Sequence, residues 1–135
     1  MSTINQIQTY LASLPPAKRA DMEQLHERIL RILPGCRLWF LDGKNDEGRV
    51  VSNPNIGYGE TAIKYADGTT REFYRIGLSA NTAGISAYVM GLEDKDLLRN
   101  TLSDRLGKAT VTGYCIKFKK LADIDVAVLM EAVVL

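Results

Sequence analysis

Residues 106–125, LGKATVTGYCIKFKKLADID, decide the architecture. Gly107 is placed to end a helix in a left-handed turn. A strand follows, with Gly113 near its centre and with Lys117, Lys119 and Lys120 at and beyond its end. Side chains alternate along a strand, so Tyr114, Ile116 and Phe118 form one face while Gly113, Cys115 and Lys117 form the other. Asp125 reads as the N-cap of a closing helix, with Ile124 and Leu129 spaced as a hydrophobic staple. Val126, Leu129, Met130 and Val133 make that helix's apolar stripe.

Upstream, Ile4, Ile7, Leu11 and Leu14 recur at helical spacing and predict a short amphipathic helix stopped by Pro15 and Pro16. Met22, Leu25, Ile29, Ile32 and Leu33 mark one face of a second helix, ended by Pro34-Gly35. CRLWFLD (36–42) has strand character, and GKNDEGRVVSNPNIGYG (43–59) reads as a long polar loop. ETAIKYADGTTREFYRIGLSA (60–80) reads as a hairpin turning at Asp67-Gly68. GISAYVMGL (84–92) continues the meander, and a third helix starts near Glu93 or Asp94, with Leu97, Leu98, Thr101, Leu102 and Leu106 inside. Helices at both ends of a strand run predict one α+β domain over residues 1–135: a single, mainly antiparallel sheet with the terminal helices on one face.

The alternation sends Tyr74, Ile76 and Leu78 inward with Tyr114, Ile116 and Phe118, joined by Ile63, Tyr65, Ile85, Ala87 and Val89. The opposite set is Lys64, Phe73, Arg75, Gly77, Ser86, Tyr88, Gly113, Cys115 and Lys117. Aromatic and cationic side chains around glycines suit a shallow dent for an anionic or planar small molecule. Trp39, Tyr58, Lys64, Arg75, Tyr88 and Lys117 are the candidate contacts, with 53–59 as a wall. The same residue types are also ordinary on the wet face of an antiparallel sheet.

Several chemistries are excluded or weakened. The chain of 135 residues carries a net charge of +1, which argues against a nonspecific nucleic-acid binder while leaving room for a local basic patch. No apolar run reaches membrane-spanning length and the first residues are no secretory signal, so a cytoplasmic location is expected. Cys36 and Cys115 are then expected as free thiols. His26, the single histidine, sits at the edge of the second helix's apolar stripe, and no spacing pairs it with a nucleophile or a zinc set. NIGYGET (55–61) holds Gly-x-Gly without a third glycine or a strand-turn-helix context, and no phosphate-cradling Gly-rich loop ending in Lys-Ser/Thr is present. Binding rather than catalysis is the leading expectation.

Two alternatives stand beside it. Asp42, Asp46 and Glu47 in the long loop are oxygen ligands suited to a hard cation such as iron, whereas helix capping accounts for the carboxylates at 93–96 and 123–125. A protein-interaction module could use the sheet edge or the apolar VLMEAVVL (128–135).

IQTYLASLPPAKRADMEQLHERILRILPG (7–35), GLSANTAGISAYVMGLEDKD (77–96) and residues 106–125 together resemble the YdhG-like proteins, domain-of-unknown-function family 1801. The resemblance implies a compact α+β domain with a curved antiparallel sheet against terminal helices. It also implies a link to iron, since one member is associated with intracellular iron delivery and the fold is compared with frataxin. The first two helices here carry Asp21, Glu23 and Glu27 among Lys18, Arg19, Arg28 and Arg31, so they form no continuous acidic ridge. The family's Tyr-Gly-x-Pro-like element is replaced by 43–59.

Overall fold

A computed structural model describes residues 2–135. The element order is α1 (Thr3–Ala12), α2 (Pro16–Ile32), β1 (Leu38–Leu41), β2 (Asn55–Tyr58), β3 (Thr61–Lys64), β4 (Thr70–Phe73), β5 (Ile76–Asn81), β6 (Gly84–Val89), α3 (Leu97–Leu106), β7 (Ala109–Val111), β8 (Cys115–Phe118) and α4 (Val126–Val133). Six strands form one antiparallel sheet in the order β1-β2-β5-β6-β8-β7, while β3 and β4 pair only with each other. The α+β class and the terminal helices are as the sequence indicates.

The helices end for local reasons. Ser2 accepts from the Asn5 N–H at the start of α1, and Asp125 accepts from Ala127 and Val128 at the start of α4. Such a cap contributes about 1 kcal/mol. Pro16 occupies the first turn of α2, where its missing N–H breaks no bond, and Gly107 closes α3 with φ +106°.

One sheet face is the core. Ile56, Tyr58, Ile76, Leu78, Ala80, Ile85, Ala87, Val89, Ile116 and Phe118 point to it, against Met22, Leu25 and Ile29 of α2 and Val128, Leu129 and Val133 of α4. Met22, Leu25 and Ile29 are at most 1% exposed, and each such burial is worth about 1.5–3 kcal/mol. Tyr10 ties α1 to this layer: its hydroxyl accepts from the Ala80 N–H at 2.9 Å.

Four elements depart from the sequence reading. Residues 55–58, read as loop, form an inner strand: Ile56 opposes Leu78 and Tyr58 opposes Ile76. The stretch 106–125 holds two strands, β7 and β8, because the chain turns at Gly113. At that turn Tyr114 leaves the core side and stands 56% exposed. The hairpin around Asp67-Gly68 forms with the expected turn but lies outside the main sheet, leaving Ile63 half-buried and Tyr65 exposed.

The fourth departure is Tyr74. The chain bends at Arg75, between β4 and β5, so the expected alternation breaks there. Ile76 and Leu78 face the helices, whereas Tyr74 lies across the opposite face above Gly57 and Gly77. A Cβ at Gly77 would stand 2.6 Å from Tyr74 Cε1, and one at Gly57 2.6 Å from its Cδ2. Gly77→Ala should therefore destabilise the fold by about 1–3 kcal/mol. With Tyr74→Ala already in place, the same change should do far less in urea denaturation; equal losses in both backgrounds would show that the ring does not enforce the glycine.

Candidate functional site

Register, more than sequence spacing, says which side chains share the face away from the helices. One row runs Trp39–Gly57–Gly77–Tyr88–Cys115 across five strands. The next runs Ser79–Ser86–Lys117–Thr110. Gly77, Ser86, Tyr88, Cys115 and Lys117 thus lie together as expected. The expected dent does not exist: the Tyr74 ring, 4% exposed, fills the space that the two glycines leave.

The candidate contacts scatter accordingly. Tyr58 is fully buried on the core side, because its pairing with Ile76 gives it that residue's parity. Arg75 reaches over the end of α4: Nη1 donates to the Met90 carbonyl at 2.6 Å and Nη2 to the Leu135 oxygen, so its charge is engaged within the fold. Lys64 stands on the separate β3–β4 ladder. Trp39 is on the right face, but its Nε1 donates to the Gly59 carbonyl at 2.8 Å and the Arg37 guanidinium covers its ring at 3.9 Å. Phe73 is covered in the same way by Arg71 at 4.7 Å. Tyr88 and Lys117 alone remain as neighbours on one open surface.

The carboxylates of the metal alternative do not converge either. Among the described residues no three His, Cys, Asp or Glu side chains group to hold an ion. Asp42 Oδ1 instead accepts from the Lys44 N–H at 2.9 Å, an Asx turn that explains the residue locally. The cysteines are free: Cys36 is half-buried and Cys115 buried, and burial raises both thiols.

Sequence reasoning missed a recess at the end of the sheet. It has a volume of about 340 Å³ and is bounded by Asn81, Ser86, Lys108, Thr110, Lys117 and Lys119, with no Asp or Glu in its wall. Ser86 is 2% exposed and accepts from the Asn81 side-chain amide at 3.3 Å. The turn between β5 and β6 forms one side, built by Asn81 Oδ1 accepting from the Ala83 and Gly84 N–H groups. A second recess of about 280 Å³ lies beyond that turn, sharing Ala83, Gly84 and Lys119 and adding Lys18 and Lys120. Its single carboxylate, Asp21, accepts from the Leu121 N–H, and Lys18 donates to the Asn81 carbonyl. The signal in the sequence was the Lys117-x-Lys-Lys run; Lys108 joins it only because β7 folds back on β8.

Comparisons with protein-family models, curated proteins and solved structures find no match. The site is therefore read from its own geometry. Among the described residues no helix is long and apolar enough to cross a membrane.

His26 accounts for the remaining titratable group of interest. Its Nδ1 lies 2.6 Å from the Tyr58 hydroxyl. Burial holds that phenol well above its ordinary range, so it keeps its proton, and the direction of its hydrogen bond with Nδ1 follows the imidazole tautomer. Burial lowers the His26 pKa, with Glu27 opposing, so the imidazole is neutral in the fold. Well above pH 6.5 neither folded nor unfolded His26 carries a proton; as the pH falls through 6.5 the unfolded chain protonates first and stability falls. Thermal melts from pH 6.5 down to about pH 5 should show that loss, and His26→Gln, which keeps an acceptor but does not titrate, should flatten the curve. An identical slope in the variant would assign the loss elsewhere.

Proposed function

We propose that this chain binds a small oxyanion in the recess between Lys108, Lys117 and Lys119. The observation that carries the reading is three lysines around one cavity without a carboxylate. Among the described residues every ion pair is formed by an arginine, and no lysine takes part in one. Asn81, Ser86 and Thr110 line the same space; the Asn81 amide is bonded to Ser86 and to the Ala83 and Gly84 N–H groups, and the exposed Thr110 hydroxyl is the neutral donor beside the charge.

Lysines also guard sheet edges against strand addition, which is a sufficient reason for Lys108 beside the edge strand β7. It does not account for Lys117, whose strand β8 is paired on both sides by β6 and β7. Among the described residues no metal-holding group forms and no carboxylate, His or Cys lines the recess, and the reading is one of binding.

Titration with inorganic phosphate and sulfate, followed by amide shifts, should move Ser86, Thr110 and Lys117 in a salt-dependent way. Lys117→Ala should weaken phosphate about tenfold, equivalent to about 1.4 kcal/mol. The exposed position should leave stability within about 0.5 kcal/mol of the parent. Shifts spread evenly over all surface lysines, or unchanged by Lys117→Ala, would remove the site.

A further inference from the structure

The lysine recess does not stand alone on its face. Tyr88 opposes Cys115, and Ser86 opposes Lys117, so the two rows are adjacent on β6 and β8. Two residues along a strand span about 7 Å. An aromatic surface therefore begins one side-chain row from the cations. Tyr88 stacks on Tyr114 with ring centroids 6.2 Å apart and an interplanar angle of 21°, and Tyr114 is 56% exposed. The other aromatics of this face already have cover: Arg37 lies over Trp39, Arg71 over Phe73, and Tyr74 is buried against Gly57 and Gly77. Among the described residues no cation covers Tyr88 or Tyr114. Among the described residues of this face, the aromatic pair without a cation over it is the pair next to the lysines.

We infer that the anion bound here is the phosphate of a nucleotide, with its base resting on the Tyr88–Tyr114 pair. The inference rests on the oxyanion reading and extends it. A ribose bridges the separation between a charged group and a planar one that the two side-chain rows set. Stacking suits any base, because every base presents a π face, and a flat sheet surface offers stacking without enclosing the ligand. A free nucleotide and one unit of a single strand present the same phosphate-sugar-base chemistry.

The test compares inorganic phosphate, adenosine, adenosine monophosphate and a short single-stranded oligoadenylate by amide-shift titration. Either adenylate should bind at least about tenfold more tightly than phosphate. Tyr114→Ala should abolish that increment and leave phosphate binding unchanged. Transfer of magnetisation from tyrosine ring protons to base protons checks the contact without any substitution. A gain for the monophosphate identifies the free nucleotide as sufficient; a gain for the oligonucleotide alone identifies the strand. Phosphate binding with no gain from either adenylate, or a gain that survives Tyr114→Ala, overturns the inference and leaves the oxyanion site standing. Adenosine binding as tightly as its monophosphate also overturns it. Absence of shifts with every phosphate ligand removes the inference and the oxyanion site together.

Discussion

The contact between Tyr74 and two facing glycines organises the half of the sheet that the helices do not cover. Gly57 and Gly77 are register partners, so their missing side chains leave one gap across β2 and β5. The Tyr74 ring occupies it and stacks on Phe73 at 4.1 Å. Phe73 in turn meets Trp39 edge-on at 6.0 Å. This chain of rings holds the β3–β4 hairpin against the main sheet, assisted by Arg37 between Glu60 and Glu72. The ring cover on the outer face thus lies on the β1–β2–β5 side. On the β6–β8–β7 side Ser86 and Cys115 are buried, but Lys117 and Tyr114 stand exposed above them, and that is where the lysines collect.

Parity within a strand was legible in the sequence; parity across a bend was not. Ile76, Leu78, Ile85, Ala87, Val89, Ile116 and Phe118 face the helices because nothing interrupts the alternation inside β5, β6 or β8. Tyr74 and Tyr114 break it because each sits beside a bend, at Arg75 and at Gly113. A bend resets the face that follows, and composition carries no mark of the reset. Residues 55–58 were hidden for a related reason. Their two apolar side chains alternate with glycine and asparagine and are flanked by Pro54 and Gly59, a pattern that also describes a loop. The close approach of Tyr74 and of the Trp39 Cβ, neither of which leaves room for a side chain, explains Gly57 inside a strand.

Local chemistry was legible where one residue suffices. Asp125 caps α4, Gly107 ends α3 and the Asp67-Gly68 turn forms, since each depends on its own few neighbours. Of the candidate contacts, Tyr88 and Lys117 keep their place because both lie within uninterrupted strands. Tyr58 and Arg75 do not, because one belongs to the unrecognised strand and the other is the bend itself. The recess needed tertiary information. Lys18, Lys108, Lys117, Lys119 and Lys120 come from a helix, a hairpin and the segment after it, and meet around the β5–β6 turn.

A chain with a net charge of +1 need not have an even surface. Here the two cationic residue types divide the acidic ones unequally. Arg19, Arg37, Arg99 and Arg105 pair with Glu23, Glu60, Glu72, Asp96 and Glu131, while the lysines around the recess pair with none of them. A guanidinium is planar and binds a carboxylate at two points, as Arg105 does with both oxygens of Glu131 at 2.8 and 2.9 Å. An ammonium group is a hydrated point charge and holds such pairs less firmly. The arginines therefore neutralise carboxylates locally, and the uncompensated positive charge gathers where lysines are close and carboxylates absent. At physiological salt the field of that cluster decays over about 8 Å, about the distance between adjacent side-chain rows. It reaches a ligand in the recess and the first aromatic row beside it, and little of it reaches Trp39 at the far side of the sheet.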